Sequence, residues 1–375
     1  MLKLESIRLR EIRLPLREPF RISSGVVAER RIALLELGDG DGLSAWSECV
    51  AGEHPNYGPE TVDTAWHAIV SWLAPRLLRT SLGAPAEVKG LLEDGIRGHL
   101  MAKAALEMGC WTLEAERRGI ALAELLGGVR EWVPVGISLG IQASPEALVE
   151  RARAAYDAGY RKIKLKIAPG ADVEYIAAVR EALGPGAPLM ADANSAYDLA
   201  DSAHLARLDA FALLMIEQPL YAGDLVRHAS LQRLLRTPIC LDESITSRRD
   251  AEDMIELGSG RIVNIKPGRV GGLAESIAIH DVCAAHGMPV WCGGMLESGI
   301  GRACNLALAT LPNFKIPGDL SPSARYWERD VVTPEWTMDG NGGMRVPLDR
   351  PGLGVTVDVD RIDDLTVREE LLTAS

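Results

Sequence analysis

The sequence predicts an α/β protein built on a TIM-like (β/α)-barrel, with a smaller α+β domain ahead of it. Three observations carry this expectation. Residues 132–344 alternate short apolar strands with amphipathic helices, one charged residue closes each of five successive strands, and the opening segment runs from antiparallel-strand character into helices. A doubly wound open sheet is the alternative for the alternating run.

At 375 residues the chain is longer than one ordinary core, so two domains are expected, one of them a barrel of about 250 residues or fewer. Residues 1 to 60 read as antiparallel strands: ESIRLREIRLPL, then RRIALLELGDGDG with its Asp-Gly turn signals, then LSAWSECVAG. From 61 to 128 the pattern becomes helical, in TVDTAWHAIVSWLAPRLL and HLMAKAALEMGCWTLEAERRG, and closes at Gly127-Gly128. Residues 1–128 therefore form the α+β domain. Eight strands are expected in 132–344: PVGISLG, RKIKLKI, PLMADAN, FALLMIEQP, PICLDES, RIVNIKP, MPVWCGG and FKIPGD. Helices fall between them, and SPEALVERARAAYDAGY opens with Ser144 as N-cap and Pro145 at the first helical position. Residues 345–375, with Pro347, Pro351 and several glycines, read as a tail that returns to complete the first domain.

Composition narrows the function. A formal charge of −12 with dispersed Lys and Arg argues against a nucleic-acid partner, so an anionic substrate must meet a local positive site. No stretch reaches the roughly eighteen apolar residues of a membrane helix, and MLKLESIRLREIRL alternates like a strand instead of forming a signal-peptide core. A cytoplasmic protein with no membrane partner is expected. Cys49, Cys110, Cys240, Cys283, Cys292 and Cys304 are far apart, lack C-x-x-C pairing and read as reduced core residues. GDGDG at 38–42 lacks the later ligands of a calcium loop, no P-loop or G-x-G-x-x-G occurs, and the histidines share no metal spacing.

The informative feature is a beat. Lys166 to Asp192 is 26 residues, Asp192 to Glu217 is 25, Glu217 to Asp242 is 25 and Asp242 to Lys266 is 24. At that repeat the five positions fall on one rim of a barrel, at the C-terminal strand ends where barrel active sites are built. A single acid there is ordinarily a solvated strand end. Five in phase converge on one mouth. Asp192, Glu217 and Asp242 on neighbouring strands would repel one another without a cation between them, and an all-oxygen set suits a hard ion such as Mg²⁺, so they are expected as metal ligands.

A second anomaly lies in RKIKLKI, where Ile163, Leu165 and Ile167 alternate with Lys162, Lys164 and Lys166. Interior barrel strands normally carry apolar residues on both faces, so inward lysines call for a purpose. Lys162, nearest the strand start, is expected in solvent. Removing a proton α to a carboxylate leaves an ene-diolate, whose charge Mg²⁺ stabilises as it develops. The base must be neutral near pH 7, and burial with nearby positive charge, from the ion and Lys164, would lower a lysine's pKa enough. Lys266, four strands on, faces Lys166 across the barrel, so the two address opposite faces of one carbon.

These residues resemble the enolase superfamily. Lys164-Leu165-Lys166, Asp192-Ala193-Asn194, Glu217-Gln218-Pro219, Asp242-Glu243-Ser244 and Lys266-Pro267-Gly268 look like its muconate-lactonising subgroup. Lys266-Pro-Gly-Arg-Val-Gly-Gly272, Trp291-Cys-Gly-Gly-Met-Leu-Glu-Ser-Gly299 and Leu311-Pro-Asn-Phe314 leading to Pro317-Gly-Asp319 are similar to the o-succinylbenzoate synthase and N-succinylamino acid racemase family. The resemblance implies a modified enolase-type barrel under an N-terminal capping domain. It makes Lys166 and Lys266 the acid/base pair, Lys164 an auxiliary cation at the substrate carboxylate, and Asn194 and Glu243 partners of the metal site. Arg269 corresponds to a basic residue of the racemase branch. Ser138, Gly294, Met295 and Leu296 are implied to line the acyl side, and the loops at Pro19 to Ser24 and Gly52 to Tyr57 to close over a small carboxylate substrate. The implied cofactor is Mg²⁺, or Mn²⁺ in its place, and the implied assembly a homo-oligomer.

Departures from relatives narrow the choice. VWCGG has no His, against the mandelate racemase branch, and Asp319-Leu320-Ser321 breaks the Asp-x-Asp of dipeptide epimerases, so the substrate amine is expected to be acylated. Dehydration to o-succinylbenzoate for menaquinone and racemisation of N-acylamino acids both begin with one proton removal and both stay open. Other readings are a cycloisomerase or dipeptide epimerase of the same subgroup, a Schiff-base aldolase using Lys166 or Lys266, and a catalytically dead binding protein.

Overall fold

The computed structural model describes residues 1–22 and 25–374. Two long strands, Leu2–Ile22 and Gly25–Asp39, pair antiparallel, and Ser44–Cys49 joins the second through the turn at Gly40 to Gly42. On the opposite edge Thr366–Thr373 pairs antiparallel with the first strand, so the tail completes this sheet. The alternating apolar residues Ile7, Leu9, Leu35 and Leu37 are buried in one cluster with Ala102, Ala105, Leu106 and Leu113 of the helix Leu100–Arg118.

Seven parallel strands follow: Ile137–Leu139, Ile163–Lys166, Leu189–Asp192, Ile216–Glu217, Ile239–Leu241, Ile262–Ile265 and Val290–Cys292, hydrogen-bonded to one another in chain order. The eighth expected strand, FKIPGD, is an irregular segment instead. It makes single parallel bridges, Phe314 to Val290 and Gly318 to Val135. The Asp319 amide donates to the Cys292 carbonyl (2.9 Å) and the Gly136 amide to the Gly318 carbonyl (2.6 Å), so the segment still joins the seventh strand to the first. Pro317 has no N–H to give a ladder, which breaks the pairing. The first strand is also shorter than its apolar run, because Trp132–Pro134 pairs antiparallel with Gly343–Arg345 apart from the parallel sheet.

The two-residue alternation orders the barrel interior. Met190, Met215, Cys240, Ile262 and Trp291 form a separate buried apolar plug. Two residues further along each strand stand Asp192, Glu217, Asp242, Asn264 and Gly293, one layer nearer the mouth. Ile163, Leu165 and Ile167 belong to the large cluster on the other face of the strands. All six cysteines are free and buried, and among the described residues no helix is long and apolar enough to cross a membrane.

Two glutamates of the first domain bind it to the barrel through helix N-termini. Glu107 accepts from the Leu273 and Ala274 amides (2.7 and 2.8 Å) and from Trp111 Nε1 (2.6 Å). Gly272, at φ 126°, must be glycine, since a Cβ there would lie 2.2 Å from Glu107 Oε2. Glu48 accepts from the Ser298 hydroxyl (2.6 Å) and the Gly301 amide (3.1 Å). Helix N-termini favour such acceptors, yet burial is the larger effect and pushes each carboxyl up to about 7. Both lie above the ordinary 4.5, so the folded chain holds more protons than the unfolded chain between those values, and stability falls as pH rises across that window. Thermal melts from pH 5 to 8 should therefore show a shallower loss of Tm in the Glu48→Gln/Glu107→Gln double variant than in the wild type. Equal slopes would refute the assignment.

Candidate active site

The expected rim forms because neighbouring strands are in register. Lys166 pairs with Asp192, Asp192 with Glu217, and Glu217 with Cys240, two residues before Asp242 on the same face of its strand. Lys266 follows the sixth strand and opens the short helix Pro267–Val270. The sharp turns that leave these strands hold Asn194, Ser195 and Gln218 at positive φ (43°, 61° and 37°), a strained backbone typical of functional rims.

The side chains pair across the barrel. Lys166 Nζ lies 2.6 Å from Asp192 Oδ2 and 2.6 Å from Asn194 Oδ1, while Lys164 Nζ lies 3.1 Å from both Asp192 Oδ2 and Glu217 Oε2. On the far side Lys266 Nζ is 2.8 Å from Asp242 Oδ2, and Arg269 also pairs with Asp242. Asn194 Nδ2 reaches Glu243 Oε1 at 3.1 Å. Among the described residues no three His, Cys, Asp or Glu side chains converge as a metal site. The lysines hold the three acids apart.

Electrostatics follow from this pairing. Burial opposes ionisation of Asp192 and Asp242, but their lysine and arginine partners outweigh it and hold both below the usual range. Glu217 is pushed up to about 8, first by burial and then by the charge on Asp192. Glu243 is pushed up to about 7 by burial and by Asp242 and Asp192. At Lys266 burial is outweighed by Asp242, and the pKa lies above the ordinary value. A divalent cation among the acids would reverse that field. The donor set fits one: three wholly buried carboxylates, oxygen ligands only, with a repulsion at Glu217 that a shared cation removes.

A cavity of about 370 Å³ sits above the rim, lined by both Lys166 and Lys266, by Asn194, and by Gly294, Met295 and Leu296. The first domain roofs it with Phe20, Val26 and Val27 from the long hairpin and with the segment around Gly52 to Tyr57. Ser23 and Ser24 of the expected closing loop lie outside the described residues. Ser138 is not part of the lining. It stands opposite Lys164 in the register, below the mouth, with its hydroxyl sealed. Arg269 sits behind the wall, donating to the Ile245 carbonyl (2.9 Å) and the Tyr57 hydroxyl (3.3 Å).

The loop Gly52 to Tyr57 was expected over the substrate, but the contacts of Tyr57 with the rim, and the role of Asn264, escaped the sequence reading. Tyr57 donates to Asp242 Oδ1 (2.9 Å) and accepts from Lys266 Nζ (3.1 Å), bringing the roof into contact with the rim. Asn264 donates to Glu217 Oε1 (2.7 Å), and its place two residues before Lys266 was a readable signal. Lys162 is wholly buried, contrary to the solvent position expected, because its strand is inside the sheet and its side chain points down the barrel axis onto Trp291.

A roofed barrel with two lysines facing each other across a set of buried acids is the architecture of enzymes that take a proton from the carbon beside a carboxylate. The family description "Mandelate racemase / muconate lactonizing enzyme, N-terminal domain" matches residues 5–127, and "Enolase C-terminal domain-like" matches residues 147–361. The chain belongs to this family of the enolase superfamily, whose enzymes of this type use a divalent metal ion. It is 50% identical to the o-succinylbenzoate synthase of Geobacillus kaustophilus over 97% of this chain and 96% of that one. It is 48% identical to an N-succinylamino acid racemase of an Amycolatopsis species, over 97% and 98%. A crystal structure of an enolase superfamily member from Listeria innocua superposes with a TM-score of 0.96 at 39% identity, covering all of both chains.

The pairing carries a cost that can be measured. At a pH above about 8, where Glu217 ionises, Glu217→Gln removes a buried charge that the metal-stripped fold does not favour, and the amide can still accept from Asn264. With chelator present this variant should melt a few degrees above the wild type. A lower Tm would show that Glu217 is instead a stabilising anion.

Proposed function

We propose that this enzyme racemises N-succinylamino acids, forms o-succinylbenzoate, or does both from one site, with Lys166 and Lys266 as the acid/base pair. The observation that carries the reading is that two lysines from opposite strands line one cavity, each paired to a different acid. The names of the relatives supply the substrate class. Asp192, Glu217 and Asp242 would hold Mg²⁺, or Mn²⁺ in its place. A bound ion supplies positive charge at the substrate's carboxylate oxygens as the α-proton leaves.

The chain's own groups do the rest. In racemisation one lysine, as the neutral amine, takes the α-proton, and the other, as the ammonium, returns one to the opposite face. In the synthase reaction Lys166 takes the α-proton as the neutral amine and, as the ammonium, returns it to the leaving hydroxyl, which departs as water, while Lys266 stabilises charge. Lys164 stands beside the substrate carboxylate, Asn194 fixes Lys166, and Glu243 fixes Asn194. Arg269 and Tyr57 hold Asp242 and Lys266 in place. Gly294, Met295 and Leu296 face the acyl group, and Ser138 backs Lys164 from the first strand. The roof excludes water from the reacting carbon. We place this chemistry in the cytoplasm, in a homo-oligomer.

Asp192→Asn, Glu217→Gln and Asp242→Asn each remove ligand charge at nearly constant volume, so each should abolish turnover while leaving the circular dichroism spectrum unchanged. Full turnover in excess EDTA would contradict the metal assignment. The lysines are separated by stereochemistry. Lys166→Ala and Lys266→Ala should both stop racemisation, yet each should still exchange the α-proton with D₂O for the one enantiomer that meets the surviving base. Racemisation near the wild-type rate in Lys266→Ala would rule out two bases.

A further inference from the structure

The irregular eighth segment brings one more carboxylate into the barrel interior. Asp319 Oδ2 lies 2.7 Å from Lys164 Nζ, and its Oδ1 lies 3.1 Å from Lys162 Nζ. Lys164 thus sits between Asp319 on one side and Asp192 and Glu217 on the other. Lys162 has no solvent exposure and makes no well-directed hydrogen bond among the described residues. Its ammonium rests 3.3 Å from the centroid of the Trp291 ring, which offsets part of the cost of burying it. Room for its chain exists because residue 136 is glycine: a Cβ there would lie 2.9 Å from the Lys162 Cβ, Cε and carbonyl oxygen. Lys162 does not line the cavity, so neither substrate contact nor solubility accounts for it.

We propose that Asp319 and Lys162 are positioning residues for Lys164. Asp319 holds the Lys164 ammonium at the edge of the acid cluster, and Lys162 keeps Asp319 turned inward. The inference rests on the reading of Lys164 as the cation beside the substrate carboxylate. Take away Lys162 alone, and the Asp319 charge falls wholly on Lys164, which is drawn away from Asp192 and Glu217. Take away Asp319 alone, and two ammonium groups face each other over one indole, 3.3 and 5.0 Å from its centroid. Removing both restores the balance, so the losses must not multiply.

The test is a double-mutant cycle of Lys162→Met and Asp319→Asn, read as kcat and KM for an N-succinylamino acid and as the rise in Tm on adding Mg²⁺. Because Lys164 acts on charge that develops during proton removal, each single variant should lose about ten- to a hundredfold in kcat, with KM changed less than about threefold. The double variant should be no slower than the slower single one, and Lys162→Arg should return to within about threefold of wild type. The Mg²⁺-induced rise in Tm should persist in all of them, because the ligands are intact. Single variants within about twofold of wild-type kcat would overturn the proposal. So would losses that multiply in the double variant, or a stable Lys162→Arg as slow as Lys162→Met. If Lys162→Met does not fold, Asp319→Asn and Lys162→Arg decide by the same criteria. A wild type inactive on N-succinylamino acids would refute the racemase reading instead, and the same cycle followed on o-succinylbenzoate formation would still decide the positioning role.

Discussion

Everything in this molecule answers to the cost of keeping ions inside a barrel. Lys162, Lys164, Lys166, Lys266 and Arg269 are buried together with Asp192, Glu217, Asp242 and Asp319, and an unpaired member of such a set destabilises a fold by roughly 3–5 kcal/mol. The architecture meets that cost by register. Adjacent strands set a base opposite an acid, as Lys166 opposite Asp192, and the layer below is apolar apart from Lys162, which lies against Trp291 and beside Asp319. Balance is incomplete at Glu217, whose carboxyl is pushed up to about 8 by burial and by the charge on Asp192. That is the point at which stability yields to chemistry.

The roof obeys the same economy. It reaches the barrel through Glu48 and Glu107, each spent on the free amides of a barrel helix, and touches the rim through Tyr57. A carboxylate at a helix N-terminus is a directional contact, so these two fix the orientation of the roof where apolar packing alone would let it slide. Phe20, Val26 and Val27 then give the cavity over the lysines an apolar side. The roof contributes this apolar surface together with charged residues such as Arg30 and Arg31, and the barrel contributes the two lysines.

What was legible in the sequence was whatever repeats or alternates. The intervals of 24 to 26 residues located the rim, and the period of two in RKIKLKI turned three lysines inward. Alternation gives a face but not a depth, and this is why Lys162 was expected in water when it lies at the bottom of the column. FKIPGD carries the composition of a strand, and only the missing amide of Pro317 argued otherwise. Asn264 was readable from its spacing to Lys266. The contacts of Tyr57, Glu48 and Glu107 were not, since their partners lie 209, 250 and 166 residues away, and no local pattern encodes a contact at that range.

The sheet of the first domain takes its outer strand from Thr366–Thr373, beyond the whole barrel in chain order. The strand Leu2–Ile22 therefore waits, with that edge unpaired, until every barrel residue has been synthesised. During translation the basic and acidic columns exist before the domain that covers them is whole. The sheet of the first domain is thus closed by the last strand in chain order, and the barrel is held between two strands that are neighbours in one sheet.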